Sequence, residues 1–359
     1  MVNLSAIGSS IMYILAGAYS DSRGNGKWGR RRPLAIGGVI SGACMILVAF
    51  QTSYIMVFLL DVVLISIFAN MVNASKNTVI PDIFPIEERG SINGKLFIAD
   101  LVGTVLILVI SMWAILQFHV LKQNIGGQNI DLKTRNRHLV IIISAGLITI
   151  IGSLTFFILL REPEIDFVPV HFKTALKNMF NLEEMKKHAK FVKFLIILVL
   201  LNIYRYMFFP YLIIFITNFA VNFYIIISIL TAFCLGYLVA SLKYGSWLNK
   251  NPRKKMTIIA VFISAIGFPI VSIFGDLSNL TLIGLIILSI AIFVTSFGFM
   301  SLEISQQTWS QDLLPKEERG KFSGILNLIN TVSQIPGAFL GAWIYETYVF
   351  SGSFLGREL

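Results

Sequence analysis

Ten apolar runs dominate this sequence, and each is close to the roughly 20 residues that a helix needs to cross a bilayer. They lie at 1–18, 33–52, 54–78, 95–117, 139–160, 191–217, 221–244, 256–275, 279–304 and 321–344. Of the 359 residues, 56% are hydrophobic and 13% are charged, and the mean hydropathy is +0.78. A soluble protein needs more polar surface than this. The sequence therefore predicts an all-α, multi-pass membrane protein in contact with the lipid bilayer.

Two polar decapeptides, separated by 230 positions, are near copies of each other. Residues 81–90 read Pro-Asp-Ile-Phe-Pro-Ile-Glu-Glu-Arg-Gly, and residues 311–320 read Gln-Asp-Leu-Leu-Pro-Lys-Glu-Glu-Arg-Gly. Such a repeat between membrane-spanning runs indicates two homologous helical bundles fused head to tail, as in secondary transporters. We predict an N-terminal bundle at 1–160, a linker at 161–190 and a C-terminal bundle at 191–359.

Lysine and arginine are unevenly divided between the two sides of the predicted membrane segments. Of 29 such residues, 23 lie in the alternate loops 19–33, 76–95, 161–193, 243–255 and 316–321. By the positive-inside rule these loops, including 23–32 and 161–190, are cytoplasmic in a cell-membrane protein. The net charge of +10 thus reflects topology, and we expect no nucleic-acid partner. Within the linker, 172–191 is either an amphipathic interfacial helix or a plain tether.

The sequence contains no enzyme or cofactor-binding motif in the structural context that such a motif requires. Residues 24–29 match the spacing G-x-G-x-x-G, but no predicted strand precedes them, as a dinucleotide site would require. The two cysteines lie inside apolar runs, and the four histidines are scattered. We expect neither an enzyme, nor a resident cofactor, nor a metal site.

A motif in the first cytoplasmic loop points to a family. Residues 17–24 read Gly-Ala-Tyr-Ser-Asp-Ser-Arg-Gly, and residues 27–33 read Lys-Trp-Gly-Arg-Arg-Arg-Pro. This loop resembles the signature loop of the major facilitator superfamily, and its ending resembles the branch of sucrose–proton and glycoside-pentoside-hexuronide cation symporters. A degenerate copy that lacks the acid, ending in Arg253-Lys254-Lys255, stands at the matching place in the second half.

The resemblance covers essentially the whole chain and implies the major facilitator fold of two pseudo-symmetric helical bundles. In that alignment the first apolar run corresponds to the second helix of the family, and the sequence lacks the first and twelfth helices. The resemblance also implies that Asp21 faces the start of the helix that opens at Lys321. Its carboxylate would stabilise unpaired N–H groups there in one conformational state.

The arginines of this motif either complete a charge network around this contact of Asp21 or anchor the topology. The predicted motif and gating residues are Gly17, Asp21, Arg23, Gly24, Gly29, Arg30, Arg31, Arg32, Asp82, Arg89, Asp312 and Arg319.

Ionisable residues at membrane depth indicate a transport pathway, because each costs about 2.5–3.5 kcal/mol to insert. Asp61 lies about 10 Å below the outer end of its helix and Arg205 about 20 Å above the cytoplasmic end of its own. We predict that they face each other; alternatively, Arg205 snorkels and Asp61 lies in the interface. Asp100 is a candidate proton site, and Glu303 belongs to a sugar site or a gate. The pathway residues predicted are Asp61, Asn70, Asn73, Asp100, Asn202, Arg205, Tyr206, Glu303, Asn330 and Gln334.

Together these features predict a monomeric secondary transporter that works by alternating access. The expected activity is symport of a sugar or glycoside with H⁺ or Na⁺. Two alternatives are open: an exporter of drugs or amphipathic metabolites, and a membrane sensor that transports nothing.

Overall fold

The chain folds almost entirely into α-helices in this computed structural model. The structure describes residues 12–13, 15–20, 22, 29, 31–117, 122–125, 128–162, 171–172, 174, 187–219, 223–273, 281–315, 319–344 and 346–347. Most of the predicted linker 161–190 therefore lies outside the described residues, and so does most of the first apolar run. Contacts between residues divide the chain into two compact units.

Unit 1 comprises Met1–Ile83, Val102–Asn181 and Leu314–Leu328. A 3₁₀ turn at Arg32–Ala35 leads into helix α1, Ile36–Ala49. Helix α2, Tyr54–Phe58, continues through a π-helical segment, Leu59–Ile65, into helix α3, Ser66–Ile83. Helix α4, Arg89–Gln117, is divided between the units after Leu101. Helix α5 covers Leu132–Leu159.

Unit 2 comprises Phe84–Leu101, Leu182–Leu313 and Ile329–Leu359. Its helices are α6 at Ala189–Phe219, α7 at Phe223–Lys250, α8 at Arg253–Ile273 and α9 at Leu282–Leu313. Helix α10, Arg319–Val332, is divided between the units after Leu328, and α11, Gln334–Ile344, follows it directly. Relative to the bundles predicted from the sequence, the units exchange two short segments, 84–101 and 314–328.

Seven helical stretches of the described chain are long and apolar enough to cross a bilayer: Arg32–Ala49, Tyr54–Ile83, Arg89–Ser111, His138–Leu159, Ala189–Phe208, Ile225–Lys250 and Leu282–Leu313. Each matches one of the ten predicted runs, and the run at 256–275 is the helix α8. The run at 321–344 is two helices that meet at Ser333. In lipid every backbone polar group must bond within the chain, which is why such runs form helices. The predicted all-α membrane fold is confirmed.

One small feature differs from the prediction of a loop between the fourth and fifth runs. Strands β1, Lys122–Ile125, and β2, Gln128–Asp131, pair as an antiparallel hairpin in which Lys122 is opposite Asp131. This hairpin lies at the end of α4, in a polar stretch where period-2 apolar alternation is too short to predict a strand.

Unit 1 is held together by helices that approach closely at small residues. Helix α1 packs on α5 and on α3. At the crossing of α1 and α5, a Cβ atom added to Gly42 would lie 2.6 Å from the carbonyl oxygen of Gly146, and one added to Gly146 would lie 2.7 Å from that of Gly42. Small residues at such a crossing let the two backbones approach, because lipid supplies no hydrophobic force to press helices together.

We expect Gly146→Ala to destabilise unit 1 by about 1–3 kcal/mol, because the added methyl group would overpack the crossing against backbone atoms that cannot rotate away. Gly152→Ala is the matched control on the same helix, since nothing lies within 4 Å of its added Cβ. Unfolding in mixed detergent micelles measures both changes. Equal stability of the two variants would show that the crossing is not close.

Unit 2 has its core where α7, α8 and α9 meet, with α9 in contact with both other helices. The buried side chains at this junction include Tyr244 and Leu248 from α7, Met256 from α8, and Met300 and Leu302 from α9. The Tyr244 hydroxyl donates to the carbonyl oxygen of Met256 at 2.6 Å, which gives the buried phenol a hydrogen-bond partner. Helix α6 packs against α11 and α9.

Candidate functional site

Asp82 is bound by two arginines inside unit 1. The Nε atom of Arg31 donates to one carboxylate oxygen of Asp82 at 2.7 Å, and the guanidinium of Arg319 donates to the other. The exposed fractions of the side chains are 1% for Arg31, 5% for Asp82 and 8% for Arg319. Two guanidinium groups on one carboxylate give this group, the Asp82 triad, a formal charge of +1.

Asp312 is bound by two arginines in the same manner inside unit 2. Arg89 donates to one carboxylate oxygen at 3.1 Å, and Arg253 donates to the other at 2.8 Å. This Asp312 triad is somewhat more accessible, with exposed fractions of 7% for Arg89, 11% for Asp312 and 14% for Arg253. Both arginines also reach backbone carbonyl oxygens: Arg89 that of Gln311 at 3.3 Å, and Arg253 that of Ile86 at 2.9 Å.

Each triad pairs the aspartate of one decapeptide with the arginine of the other. Asp82 and Asp312 are the second-last residues of α3 and α9, while Arg89 and Arg319 are the first residues of α4 and α10. Helix dipoles disfavour an acid at a C-terminus and a base at an N-terminus. Each charge meets its opposite at a buried position, so removing either partner would leave an uncompensated buried charge.

Amide side chains bond beside each triad. In unit 2, Asn93 donates to the Thr308 hydroxyl at 2.9 Å and to the Gln311 side-chain oxygen at 2.8 Å. In unit 1, Asn77 donates to the side-chain oxygen of Asn327 at 3.1 Å. Buried amides without partners would be costly, so these bonds favour one register between the neighbouring helix ends.

The first-loop motif is anchored by Glu162, which follows α5. Its Oε1 atom accepts from the backbone N–H of Arg31 at 2.8 Å and from that of Arg32 at 2.6 Å. A carboxylate at the start of a helix satisfies free N–H groups and complements the dipole. Gly29 has φ +72°, and a Cβ atom there would lie 2.7 Å from the Glu162 carboxylate, so only glycine fits without strain.

Of the remaining motif residues, some are described by the structure and others are not. The Arg32 side chain donates to the carbonyl oxygen of Phe157 and lies 4.7 Å from the centre of that ring. Gly17 and Ser20 line a small cavity together with Gly320 and Gly324 from the first turns of α10. That is the helix the resemblance assigned as the target of Asp21. Asp21, Arg23, Gly24 and Arg30 lie outside the described residues.

Arg205 forms an ion pair with Glu303 inside unit 2. The guanidinium on α6 donates to the Glu303 carboxylate on α9, and the exposed fractions of the two side chains are 31% and 27%. The guanidinium carbon also lies 5.5 Å from the centre of the Tyr206 ring. The predicted pairing of Arg205 with Asp61, which belongs to unit 1, stays a prediction; the partner of Arg205 inside unit 2 is Glu303. The estimate of depth gave the height of each residue in the membrane but not the side of the helix on which it lies.

A neutral polar cluster lies on α6 close to the ion pair in sequence. Buried Asn202 donates to the side-chain oxygen of Asn330 at 2.8 Å and to the Ser333 hydroxyl at 3.0 Å. Ser333 is the residue at which α10 and α11 meet, and its hydroxyl donates to the Asn330 carbonyl oxygen at 3.1 Å. The cluster thus supplies polar partners where the helix is interrupted.

The other predicted pathway residues each lie within one of the two units. Asp61 is exposed in the π-helical segment, Asn73 is exposed on α3, and Asn70 donates to the Ser66 carbonyl oxygen of its own helix at 2.5 Å. Asp100 is exposed on α4. Gln334 is half-buried as the first residue of α11.

Two charged residues of these sites had no functional assignment from the sequence. Arg253 stood in the degenerate copy of the loop motif, and its place beside the second decapeptide was a usable signal. Glu162 follows an apolar run without any motif around it, and only the fold brings it to Arg31 and Arg32.

Comparison with known proteins identifies the family. Residues 1–338 match the Major Facilitator Superfamily. No curated protein sequence matches the chain significantly.

Solved structures of low sequence identity share the fold. FucP in the outward conformation aligns at a TM-score of 0.64 and 14% identity, over 99% of this chain and 84% of that one. A second FucP structure is that of the E. coli fucose:proton symporter. The human organic anion transporter MFSD10 (TETRAN) gives 0.65 at 12% identity, over 96% of this chain and 78% of that one.

A bacterial homologue of the iron transporter ferroportin, in the outward-facing state, gives a TM-score of 0.62 at 13% identity, over 95% of this chain and 82% of that one. These likenesses bear on the fold, and the family match covers most of the sequence. The chain belongs to the Major Facilitator Superfamily, a family of membrane transporters.

Proposed function

We propose that this chain is a secondary active transporter that carries a sugar or glycoside together with H⁺ or Na⁺ by alternating access. It works as a monomer in the cell membrane, with loops 23–32 and 161–190 on the cytoplasmic side. The single observation that carries the proposal is the ion pair of Arg205 with Glu303, which joins the interior of α6, Ala189–Phe219, to the interior of α9, Leu282–Leu313.

A charge pair at this depth is expensive, and such residues usually face a substrate or ion pathway. About a third of each side chain remains exposed, so the pair can be reached by a solute or a coupling ion. The Glu303 carboxylate could release Arg205 and bind H⁺ or Na⁺ in its place. Entry of the ion would then break the contact between α6 and α9, which couples ion binding to a change of conformation.

Neutral hydrogen-bonding groups near the pair favour a hydroxylated solute. Asn202 lies one helical turn before Arg205 on α6, and it joins Asn330 and Ser333. Amide and hydroxyl groups donate to and accept from sugar hydroxyl groups equally well. The fucose:proton symporter among the structural neighbours is consistent with this substrate class, whereas the organic anion transporter represents the runner-up.

The two triads support alternating access. Each joins a decapeptide aspartate to an arginine more than 200 positions away. Ion pairs between helix ends that are far apart in sequence are the kind of contact that one transport state makes and another breaks. Because the triads are buried, breaking them requires water or another partner to replace the lost contacts.

Uptake into proteoliposomes tests the proposal. The purified chain is reconstituted and challenged with a panel of labelled sugars and glycosides under an inward proton gradient, an inward sodium gradient, or none. We expect at least one sugar to accumulate only with one of the gradients. Glu303→Gln should abolish accumulation, whereas Glu87→Gln, which removes an exposed carboxylate outside the pathway, should not.

Other results would point to other functions. Accumulation of organic anions or lipophilic drugs in place of every sugar would identify an exporter, and absence of all transport by a folded protein would favour a sensor. Either result contradicts sugar symport.

A further inference from the structure

The sequence from residue 185 to residue 275 contains no aspartate or glutamate. It contains the whole of helices α6, α7 and α8 of unit 2. Where α7 ends and α8 begins, four lysines lie within 13 positions: Lys243, Lys250, Lys254 and Lys255. All four side chains are exposed. We call this group the α7–α8 lysine patch.

The lysine patch lies at one end of two exposed apolar faces. On α7, Trp247 is 51% exposed and is placed between Lys243 and Lys250 at helical spacing, so the three share one face. On α8, Ile258 and Phe262 are exposed and follow Lys254 and Lys255 by about one and two turns. In membrane proteins, apolar side chains face the lipid acyl chains, while tryptophan and lysine side chains lie at the level of the headgroups. The exposed faces of α7 and α8 have this pattern.

The patch keeps its positive charge within the part of the chain that the structure describes. Arg253, between Lys250 and Lys254, is engaged by Asp312, but none of the four lysines forms an ion pair with a described residue. Exposed Glu87 and Glu88 follow Ile86, whose carbonyl oxygen accepts from Arg253. Two carboxylates do not neutralise four lysines, so the patch stays cationic.

We infer that the α7–α8 lysine patch binds the headgroup of an anionic phospholipid, with the lipid acyl chains lying against the exposed faces of α7 and α8. Charge complementarity selects the headgroup, and the tryptophan between two lysines lies at the level of the glycerol backbone. The predicted cytoplasmic location places the patch at the leaflet that carries anionic lipids. This inference concerns the lipid surface of unit 2 and does not depend on the transported solute.

Fluorescence quenching of Trp247 by brominated lipids tests the inference. The full chain is reconstituted in vesicles of equal parts phosphatidylcholine and phosphatidylglycerol, with bromine on the acyl chains of one lipid or the other. The signal of Trp247 is the difference between the parent and Trp247→Phe. We expect the association constant for phosphatidylglycerol to exceed that for phosphatidylcholine by about 5- to 30-fold, the attraction of one to two lysines.

Charge removal separates this patch from a general surface effect. Changing all four lysines to glutamine should abolish the preference for phosphatidylglycerol. Two double variants, with glutamine at Lys243 and Lys250 or at Lys254 and Lys255, should each reduce that preference, and they test the inference if the quadruple variant does not fold. The control changes Lys187, Lys190 and Lys193 to glutamine, because these exposed lysines lie at the start of another helix.

Three outcomes would overturn the inference. The first is equal quenching by the two brominated lipids in the parent protein. The second is an equal loss of preference in the control and in the patch variants, which would indicate only the overall surface charge. The third is loss of the preference in excess soluble glycerol phosphate, which would indicate a site for free phosphate.

Discussion

Replacing Asp82 with asparagine is expected to lower the free energy of unfolding by about 3–5 kcal/mol, the usual loss when one partner of a buried ion pair is removed. The change leaves Arg31 and Arg319 buried with no carboxylate to balance them. Asp312→Asn should cost less, because Arg253 is the most exposed of the four arginines and water can solvate it more readily. Equilibrium unfolding in mixed detergent micelles gives both values.

The matched control for these variants is Glu87→Gln, which lies in the first decapeptide and is exposed. Its expected effect is within about 0.5 kcal/mol of zero, as for other surface substitutions. Adding Arg319→Gln to Asp82→Asn should restore part of the lost stability, because it removes one of the two uncompensated charges. If Asp82→Asn unfolds like the control, the triad does not stabilise the protein.

Arg205→Ala is expected to raise the KM of the transported solute by about 10- to 150-fold, since a hydrogen bond to a charged group contributes about 1.5–3 kcal/mol. The change also leaves the Glu303 carboxylate without its guanidinium partner. Arg205→Lys should retain part of the activity, because an ammonium keeps the charge but loses the planar donor geometry of the guanidinium. Initial rates of uptake into proteoliposomes measure KM and the maximal rate separately.

A double-mutant cycle shows whether Arg205 and Glu303 act as a pair. In solute exchange without an ion gradient, which does not require coupling, the variant carrying both Arg205→Ala and Glu303→Gln should have a KM no higher than Arg205→Ala alone, since both changes remove the same interaction. Arg161→Ala, at an exposed position outside the spans, is the control for removing an arginine. Strictly additive losses would refute the coupling.

Much of the fold was predictable because two strong signals agree: apolar runs of membrane length, and a repeat that aligns Asp82 with Asp312 and Arg89 with Arg319. The bilayer allows few alternatives to helices, so the length and hydropathy of a run predict its conformation. The interruption at Ser333 was not predicted, because the run at 321–344 is continuous in hydropathy. Pro336 was a usable signal, since proline cannot donate to the carbonyl oxygen of Val332 and its ring crowds that group.

The sequence predicted which residues belong to the candidate site but not which of them contact each other. The repeat shows which residues correspond, and Asp82 and Arg319 were both named, but a repeat does not show which residues touch. Each aspartate binds the arginine of the other copy, which follows only from how the helix ends meet. Arg205 and Glu303 were likewise both named without being paired, since depth along a helix leaves its rotation undetermined.

The π-helical segment Leu59–Ile65 affects how α3 tolerates changes in length. In this segment the backbone hydrogen bonds join residues i and i+5, so it contains one residue more than an α-helix of the same length. The segment therefore accommodates one additional residue in the helix. Deleting one residue there lets the chain close as an ordinary α-helix, with the later residues of α3 still facing their neighbours. The same deletion farther along α3 turns every later side chain by about 100°, which would direct the Asp82 carboxylate away from both arginines.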